Sequence, residues 1–142
     1  PPALRFVIAT PEVEVETPMA RRILPDAFPR ADAIFNVQRV ALLLHTLQSG
    51  RYEELREALR DRWHQPYRER IVPGLAHALA LEHPDLYGVC LSGSGPSVVG
   101  IAERNFEAIE GLFAEVYRRL GIPCRVRTVS AHQPETSGSG SV

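Results

Sequence analysis

Long apolar runs and an excess of charge of one sign are both missing from this sequence of 142 residues. No stretch approaches the roughly 20 consecutive apolar residues of a membrane-spanning helix. The 16 basic and 17 acidic residues leave a formal net charge of −1, which gives no reason to expect nucleic acid or a membrane as partner. Small molecules and other proteins fit better. Because no leader of charged and then apolar residues opens the chain, we expect a cytoplasmic protein.

Cysteine and metal-ligand patterns are scarce as well. The two cysteines, Cys90 and Cys124, each lie within an apolar, strand-like run, which is typical of buried free thiols rather than of a disulfide or a metal pair. None of the five histidines falls at a metal-binding spacing such as His-Glu-x-x-His, so no metal site is predicted. The chain opens on Pro1 without a Met, which suggests a cut inside a longer sequence.

What is present is the composition of an ordinary globular domain, 44% hydrophobic and 23% charged. Apolar runs and alternation predict strands at residues 4–9, 13–16, 87–91, 98–102 and 122–128. Apolar residues at steps of three and four predict helices at 17–24, 32–48, 52–63, 74–82 and 105–120. Together they predict an α+β domain over residues 1–131, an antiparallel sheet of about four strands with helices on one face, as in a ferredoxin-like plait. The Ser/Gly-rich tail at 132–142 is predicted to be disordered.

The helices differ in how their apolar residues are arranged. The helix at 32–48 is apolar on more than one side, so we expect it to be deeply packed. In the helix at 52–63, the sequence predicts that Leu55, Leu59 and Trp63 point inward. The last predicted helix has one apolar stripe, which is expected to face the sheet and consists of Phe106, Ile109, Leu112, Phe113, Val116 and Leu120.

A glycine-rich loop, SGSG at 92–95, lies between two predicted strands. Glycines at 93 and 95 allow a positive φ and remove Cβ atoms that would keep a phosphate or substrate away from the backbone N–H groups. A strand follows the loop, whereas a helix follows directly in the nucleotide P-loop and the Rossmann fingerprint. The loop is therefore not expected to be the primary nucleotide site. The alternative is a tight hairpin turn that serves no ligand.

Three segments together carry a resemblance to a known family. They read TPMARRILP at 17–25, HQPYR at 64–68 with IVPG at 71–74, and LSGSGP at 91–96. Over residues 4–131 they resemble the C-terminal half of the homoserine kinases, which belong to the GHMP small-molecule kinases. The third segment is similar to a motif of the whole superfamily, while the second resembles homoserine kinases in particular. The phosphate loop that precedes this region in the family is absent, so the N-terminal ATP-binding domain is expected to be missing and this chain alone inactive.

The resemblance implies transfer of the ATP γ-phosphoryl group to the hydroxyl of L-homoserine, a step toward threonine. It places Arg21 and Arg68 at the acceptor, where a guanidinium matches the carboxylate. It places Ser92, Gly93, Ser94 and Gly95 near the acceptor or the transferred phosphate. The resemblance assigns ATP and Mg²⁺ chiefly to the missing half, and it also implies a possible homodimer. None of the three segments offers a catalytic base.

Other interpretations of these residues stay open. Each arginine is alternatively a solvated surface residue, and Arg68 is alternatively the partner of Glu69 or Asp61 in a surface ion pair. Asn36 and Arg39 lie on one side of the long helix and are weaker candidates for the substrate cleft. The acceptor is alternatively mevalonate or another small alcohol. The chain is alternatively a non-enzymatic plait domain that binds a small ligand or regulates another chain.

Overall fold

The structure is a computed structural model that describes residues 4–131. One antiparallel sheet lies at its centre. Its strands are β1 (Arg5–Pro11), β2 (Leu86–Leu91), β3 (Val98–Ala102) and β4 (Cys124–Ser130). They lie in the order β2-β3-β1-β4, and every neighbouring pair is antiparallel. This is the order of a ferredoxin-like plait, so the predicted α+β class is confirmed.

The predicted strand at 13–16 is wrong, because this segment forms no ladder. Pro11 pairs with Cys124, the first residue of β4, so no strand lies beside the residues that follow. Alternation alone had suggested the strand, but a strand also needs a neighbour for its backbone hydrogen bonds. The predicted disorder of 132–142 concerns residues outside the described range.

The helices are α1 (Thr17–Arg22), α2 (Arg30–Ser49), α3 (Leu55–Ala58), α4 (Gln65–Arg68), α5 (Leu75–Leu79) and α6 (Phe106–Arg119), with a 3₁₀ turn at Tyr52–Glu54 before α3. The predicted end of α2 at Gly50 is confirmed, with a left-handed φ of 75°. The single helix predicted at 52–63 is wrong beyond Ala58, because the Asp61 carboxylate binds the N–H groups that begin α4 instead. The helix predicted at 74–82 is shorter than expected. No helix within the described range is both long and apolar enough to cross a membrane.

The main core lies between one face of the sheet and the helices α5 and α6. From α6 it takes Ile109, Phe113 and Tyr117, all fully buried. The Phe113 ring needs a glycine on the sheet, because a Cβ on Gly100 would lie 2.8 Å from it. The predicted apolar stripe is confirmed in its centre. It is wrong at Leu120, which is 44% exposed and lies just after the last residue of the helix.

A second, smaller core covers part of the other face. Leu55 of α3 packs there against Leu4 and Ile101, with Leu43 and Leu47 of α2 at the edge. The expected placement of helices on one face therefore holds for α5 and α6, and α3 with the end of α2 adds a second packed layer.

The expected deep packing of α2 is wrong. Thr46 is its one buried residue, and four large apolar side chains are 51–62% exposed, namely Ile34, Val37, Val40 and Leu44. Trp63, which was expected to point inward, is 37% exposed. The short elements that follow α2 cover only part of its apolar surface.

Both cysteines are free thiols. Cys90 is half-buried in β2, and burial raises the pKa of its thiol to about 11. A thiol with so high a pKa stays protonated near neutral pH and is a poor nucleophile.

Candidate functional site

Asp61 organises the start of α4. Its side chain is 9% exposed and accepts hydrogen bonds from the N–H groups of Trp63, His64 and Gln65 at 3.0, 2.8 and 2.6 Å. A fourth donor, Nδ2 of Asn36 on α2, lies 2.6 Å away. Burial alone would raise the pKa of Asp61, but the four hydrogen bonds outweigh it and lower the pKa. Asp61 is therefore an ionised acceptor that holds the turn before α4 and ties it to α2.

The short helix α4 sits directly against the glycine-rich loop. Oε1 of the buried Gln65 accepts a 2.7 Å hydrogen bond from the N–H of Leu91, the last residue of β2. One turn later, Nη1 of Arg68 donates to the carbonyl of Gly93 at 2.7 Å. Two of the three sequence segments are thus in direct contact, although they lie more than 20 residues apart along the chain.

The loop itself is a closed turn with an open outer edge. The N–H of Ser92 donates to the carbonyl of Ser97 at 2.9 Å, and the N–H of Gly95 donates to the carbonyl of Ser92 at 3.0 Å. Gly93 has a φ of 58° and nothing within 4 Å of the position of a Cβ. Within residues 4–131, the N–H groups of Gly93 and Ser94 have no hydrogen-bond partner. Two adjacent free N–H groups beside a left-handed residue form a concavity suited to an anion.

The loop therefore serves as a hairpin connection and also keeps free donors. The hairpin interpretation is correct as far as it goes, because the loop joins the antiparallel strands β2 and β3. A hairpin turn alone does not explain why Arg68 contacts the loop or why two of its N–H groups are left without a hydrogen bond.

Arg68 keeps its positive charge uncompensated. In the part of the chain that the structure describes it forms no ion pair, so the alternative pairing with Glu69 or Asp61 is wrong. Its other neighbour is Nδ1 of His64, 3.4 Å from Nη1. Burial lowers the pKa of His64, and the charge of Arg68 lowers it further against the opposing effect of Asp61. A neutral His64 leaves the guanidinium free to bind an anion.

Arg21 does not contact Arg68 or the glycine-rich loop. It lies exposed on α1, and its side chain makes no hydrogen bond or ion pair to another described residue. Its helix leaves the sheet at the same end as the loop, because Ala9 near the end of β1 pairs with Val98 at the start of β3. The role of Arg21 stays a prediction.

The two weaker candidates on α2 have structural partners instead. Asn36 also accepts a 2.9 Å hydrogen bond from the N–H of Arg62, besides its contact with Asp61. Arg39 pairs with Glu57 and stacks on the ring of Phe35, 4.1 Å from the ring centre. Both residues therefore hold α2 in place, and neither contacts the loop.

Sequence reasoning missed the two residues that shape the site, Asp61 and Gln65. The role of Asp61 was visible in principle, because an Asp side chain commonly accepts hydrogen bonds from backbone N–H groups a few residues further on. No local pattern marked Gln65, because a glutamine becomes a buried link only when a distant strand reaches it.

Metal ligands do not gather here. Among residues 4–131 no group of three or more His, Cys, Asp or Glu side chains is placed to hold a metal ion. The free groups near the loop include two N–H donors and one guanidinium, which suit an anion. Beside the site lies an open cavity of about 550 Å³, whose lining includes Val37, Val40, Trp63 and His64.

Comparisons with known proteins point to one family. The family model described as GHMP kinases C terminal matches residues 43–119. The homoserine kinase of Solibacter usitatus is 42% identical over 121 residues, which is 85% of this chain and 40% of that protein. The homoserine kinase of Schizosaccharomyces pombe is 36% identical over 133 residues, 89% of this chain and 39% of that protein.

Solved structures show the same relation. The crystal structure of homoserine kinase from Cytophaga hutchinsonii superimposes with a TM-score of 0.87 and 26% identity, over 94% of this chain and 43% of that one. Phosphomevalonate kinase of Streptococcus pneumoniae shares the fold, with a TM-score of 0.52 and 16% identity, over 90% of this chain and 40% of that one. This chain spans about two fifths of the length of the curated relatives it matches. Because the family model covers more than half of it, the chain belongs to the GHMP kinases and contains their C-terminal domain.

Proposed function

We propose that this chain is the acceptor-binding, C-terminal part of a cytoplasmic homoserine kinase that acts on the path to threonine. The observation that carries the proposal is the placement of an uncompensated guanidinium, Arg68, against a loop with two free N–H groups at Gly93 and Ser94. The names of the curated relatives support homoserine as the acceptor.

The guanidinium suits the acceptor, and the free N–H groups of the loop suit the phosphoryl group that is transferred. The planar donor fork of Arg68 matches the carboxylate of homoserine, with Arg21 as a second candidate for the same carboxylate. The N–H groups of the loop, from Ser92 to Gly95, suit the oxygens of the group being transferred. In the transfer, the homoserine hydroxyl oxygen forms a bond to the γ-phosphorus, the bond to the leaving ADP oxygen breaks, and the hydroxyl proton passes to water. Such a loose transition state asks mainly for positioning and charge, and no catalytic base is assigned in this chain.

A kinase of this family uses ATP. We infer that the ATP-binding loop and the ligands of Mg²⁺ belong to the part of the relatives that this chain does not span. No group of three or more His, Cys, Asp or Glu side chains among the described residues could hold a metal ion, and no role in holding Mg²⁺ is assigned to these residues. The upstream half and a second copy of the chain are the expected protein partners.

Phosphorus NMR on the complete natural protein tests the proposal. The protein is incubated with Mg²⁺-ATP and, in turn, homoserine, threonine, mevalonate and shikimate. A phosphomonoester that appears with homoserine alone is the expected result. Transfer to another alcohol instead would keep the kinase and discard the acceptor. No transfer to any of the four would favour a non-enzymatic binding or regulatory domain.

Arginine substitutions in the same protein test the assignment of the carboxylate. Arg68→Ala is expected to raise KM for homoserine about 10- to 100-fold, because it removes a charge-assisted hydrogen-bonded pair. Arg70→Ala is the matched control, since Arg70 is exposed two positions further on. An unchanged KM and kcat in Arg68→Ala would count heavily against the assignment.

A further inference from the structure

Gln65 is a buried amide with both ends in use. The residue is 6% exposed, its Oε1 accepts from the N–H of Leu91 at 2.7 Å, and its Nε2 donates to the carbonyl of Leu59 at 3.3 Å. Leu91 is the point at which β2 ends and the glycine-rich loop begins. A buried N–H that loses its partner is costly, so this hydrogen bond restrains the backbone where the loop starts.

The loop is held at three points by the segment 65–72. The turns continue beyond α4, since the N–H of Val72 donates to the carbonyl of Arg68 at 2.9 Å. A Cβ on Gly95 would lie 3.1 Å from a Val72 methyl group, so the two are in close contact. Residues at steps of three and four share one face of a helical turn. That face meets alternate residues of the loop region through the pairs Gln65 with Leu91, Arg68 with Gly93, and Val72 with Gly95.

Of the three contacts, the one made by Gln65 fixes the position of the loop backbone, and Gln65 itself is not proposed to bind the acceptor. Arg68 is proposed to bind the acceptor, and Val72 makes an apolar contact that tolerates sliding. A hydrogen bond at 2.7 Å between two buried groups has a narrow range of distance and angle. Asp61 in turn fixes Gln65, because it binds the N–H of that residue at 2.6 Å.

We propose that Gln65 is a positioning residue for phosphoryl transfer, which holds the free N–H groups of Gly93 and Ser94 in register with Arg68. The inference deepens the proposed function and rests on it. If Arg68 holds the acceptor and the loop holds the transferred group, the two must be placed together. A displacement of about 1 Å between reacting groups can cost about 100-fold in rate.

Two substitutions in the complete natural protein separate positioning from packing. Gln65→Glu keeps an oxygen that accepts from Leu91, whereas Gln65→Met has a similar size and removes that oxygen. If Gln65 only fills buried space, Met is tolerated better, because Glu buries a carboxyl group. Our expectation is the opposite order. With homoserine, kcat should fall about 10- to 100-fold in Gln65→Met and less in Gln65→Glu, with KM for homoserine changed less than about threefold.

Stability is controlled by a variant remote from the loop. Ile109→Val or Ile109→Ala is used, whichever has the Tm of Gln65→Met, because Ile109 lies fully buried on α6. This control should retain kcat within about twofold, since a folded enzyme with an intact site keeps its rate. If Gln65→Met does not fold, Gln65→Asn replaces it, because the shorter side chain withdraws the oxygen from Leu91 and keeps the amide.

Hydrogen exchange followed by mass spectrometry provides a readout that does not depend on the substrate. Exchange of the segment 91–97 should be faster in Gln65→Met than in the wild type and unchanged in the Ile109 control. The proposal is overturned if this segment exchanges at the wild-type rate in Gln65→Met, or if that variant keeps the kcat of the control. If the wild type does not phosphorylate homoserine, the proposed function fails, and the exchange result alone decides whether Gln65 holds the loop.

Discussion

The helices α2 and α6 are attached to the rest of the domain in two different ways. One side of α6 is completely buried, with Ile109, Phe113 and Tyr117 against the strands. In contrast, α2 has more residues and exposes half of its large apolar side chains, namely Ile34, Val37, Val40 and Leu44. A helix with one apolar stripe has one way to pack, whereas a helix that is apolar on several sides packs according to the neighbours that the fold supplies.

Polar contacts provide much of the attachment of α2 to the rest of the domain. They run along its length and join it to the segment 54–62, through the pairs Asn36 with Asp61, Arg39 with Glu57, Asp32 with Arg62, and Thr46 with Glu54. Leu43 and Leu47 add apolar contact near its end. The loss of one apolar side chain should therefore matter greatly on α6, and the loss of one polar group should matter most where α2 meets α4.

The largest effect is expected from Phe113→Ala on α6. The ring is fully buried and packs closely over Gly100, so its removal leaves a cavity in the main core. The free energy of unfolding should fall by about 3–5 kcal/mol, as measured by urea denaturation. A loss below about 1 kcal/mol would show that α6 is not attached through this face.

The next effect concerns the polar attachment of α2 and α4. Asp61→Ala removes the acceptor of four hydrogen bonds, including the one from Asn36. The free energy of unfolding should fall by about 2 kcal/mol, the cost of donors left without a partner. Glu69→Ala, an exposed position on the same segment, is the control and should be nearly neutral.

The same carboxylate should give a dependence on pH. Because hydrogen bonds hold its pKa in the folded state below the ordinary 3.8, Asp61 stabilises the protein above that value and loses its effect as pH falls through the folded pKa. The stability difference between the wild type and Asp61→Asn should therefore be largest near neutral pH and shrink below about pH 3.8. A difference that stays constant from pH 7 to pH 3 would contradict the lowered pKa.

A smaller effect of opposite sign is expected at Tyr117 on α6. Its hydroxyl is buried without a hydrogen-bond partner among the described residues, and burial raises its pKa to about 12. Tyr117→Phe should leave the free energy of unfolding unchanged or raise it by up to about 1 kcal/mol at pH 7.

Above pH 10 the two proteins should diverge further. A folded pKa above the ordinary 10.0 makes the wild type lose stability as pH rises toward 12, and the Phe variant lacks this contribution. Urea denaturation at pH 7 and pH 11 measures both parts. A marked loss of stability in Tyr117→Phe at pH 7 would mean that the hydroxyl has a partner.

The smallest effect is expected from Val40→Ser on the exposed side of α2. Val40 has most of its surface in water, so the free energy of unfolding of this chain should change by no more than about 0.5 kcal/mol. Thermal and urea unfolding of the 142-residue chain measure it. A loss above about 1.5 kcal/mol would remove the contrast between the two helices.

Sequence reasoning succeeded where structure is local. It placed β2, β3 and α6 closely and predicted the end of α2 at Gly50. It failed at the strand 13–16 and at the helix to residue 63, because each depended on a partner elsewhere. A ladder partner was missing for the first, and the hydrogen bonds to Asp61 ended the second.

The candidate site shows the same division. The loop at 92–95 and Arg68 were chosen from the sequence, and the structure brings them into contact. Arg21 was chosen by the same resemblance and remains a prediction. Asp61 and Gln65 were missed, because their importance lies in the groups that reach them and not in their own neighbours along the chain.

By itself the sequence determined the family motifs, most of the strands and helices, and the glycines that allow a left-handed loop. These depend on steric limits and periodicity within a few residues. Only the tertiary structure decided that Gln65 meets Leu91, 26 positions away, and that Arg68 meets Gly93, 25 positions away. The physical reason is that such contacts exist only after the sheet and helices have packed, when a buried amide must bond whichever backbone group is placed beside it.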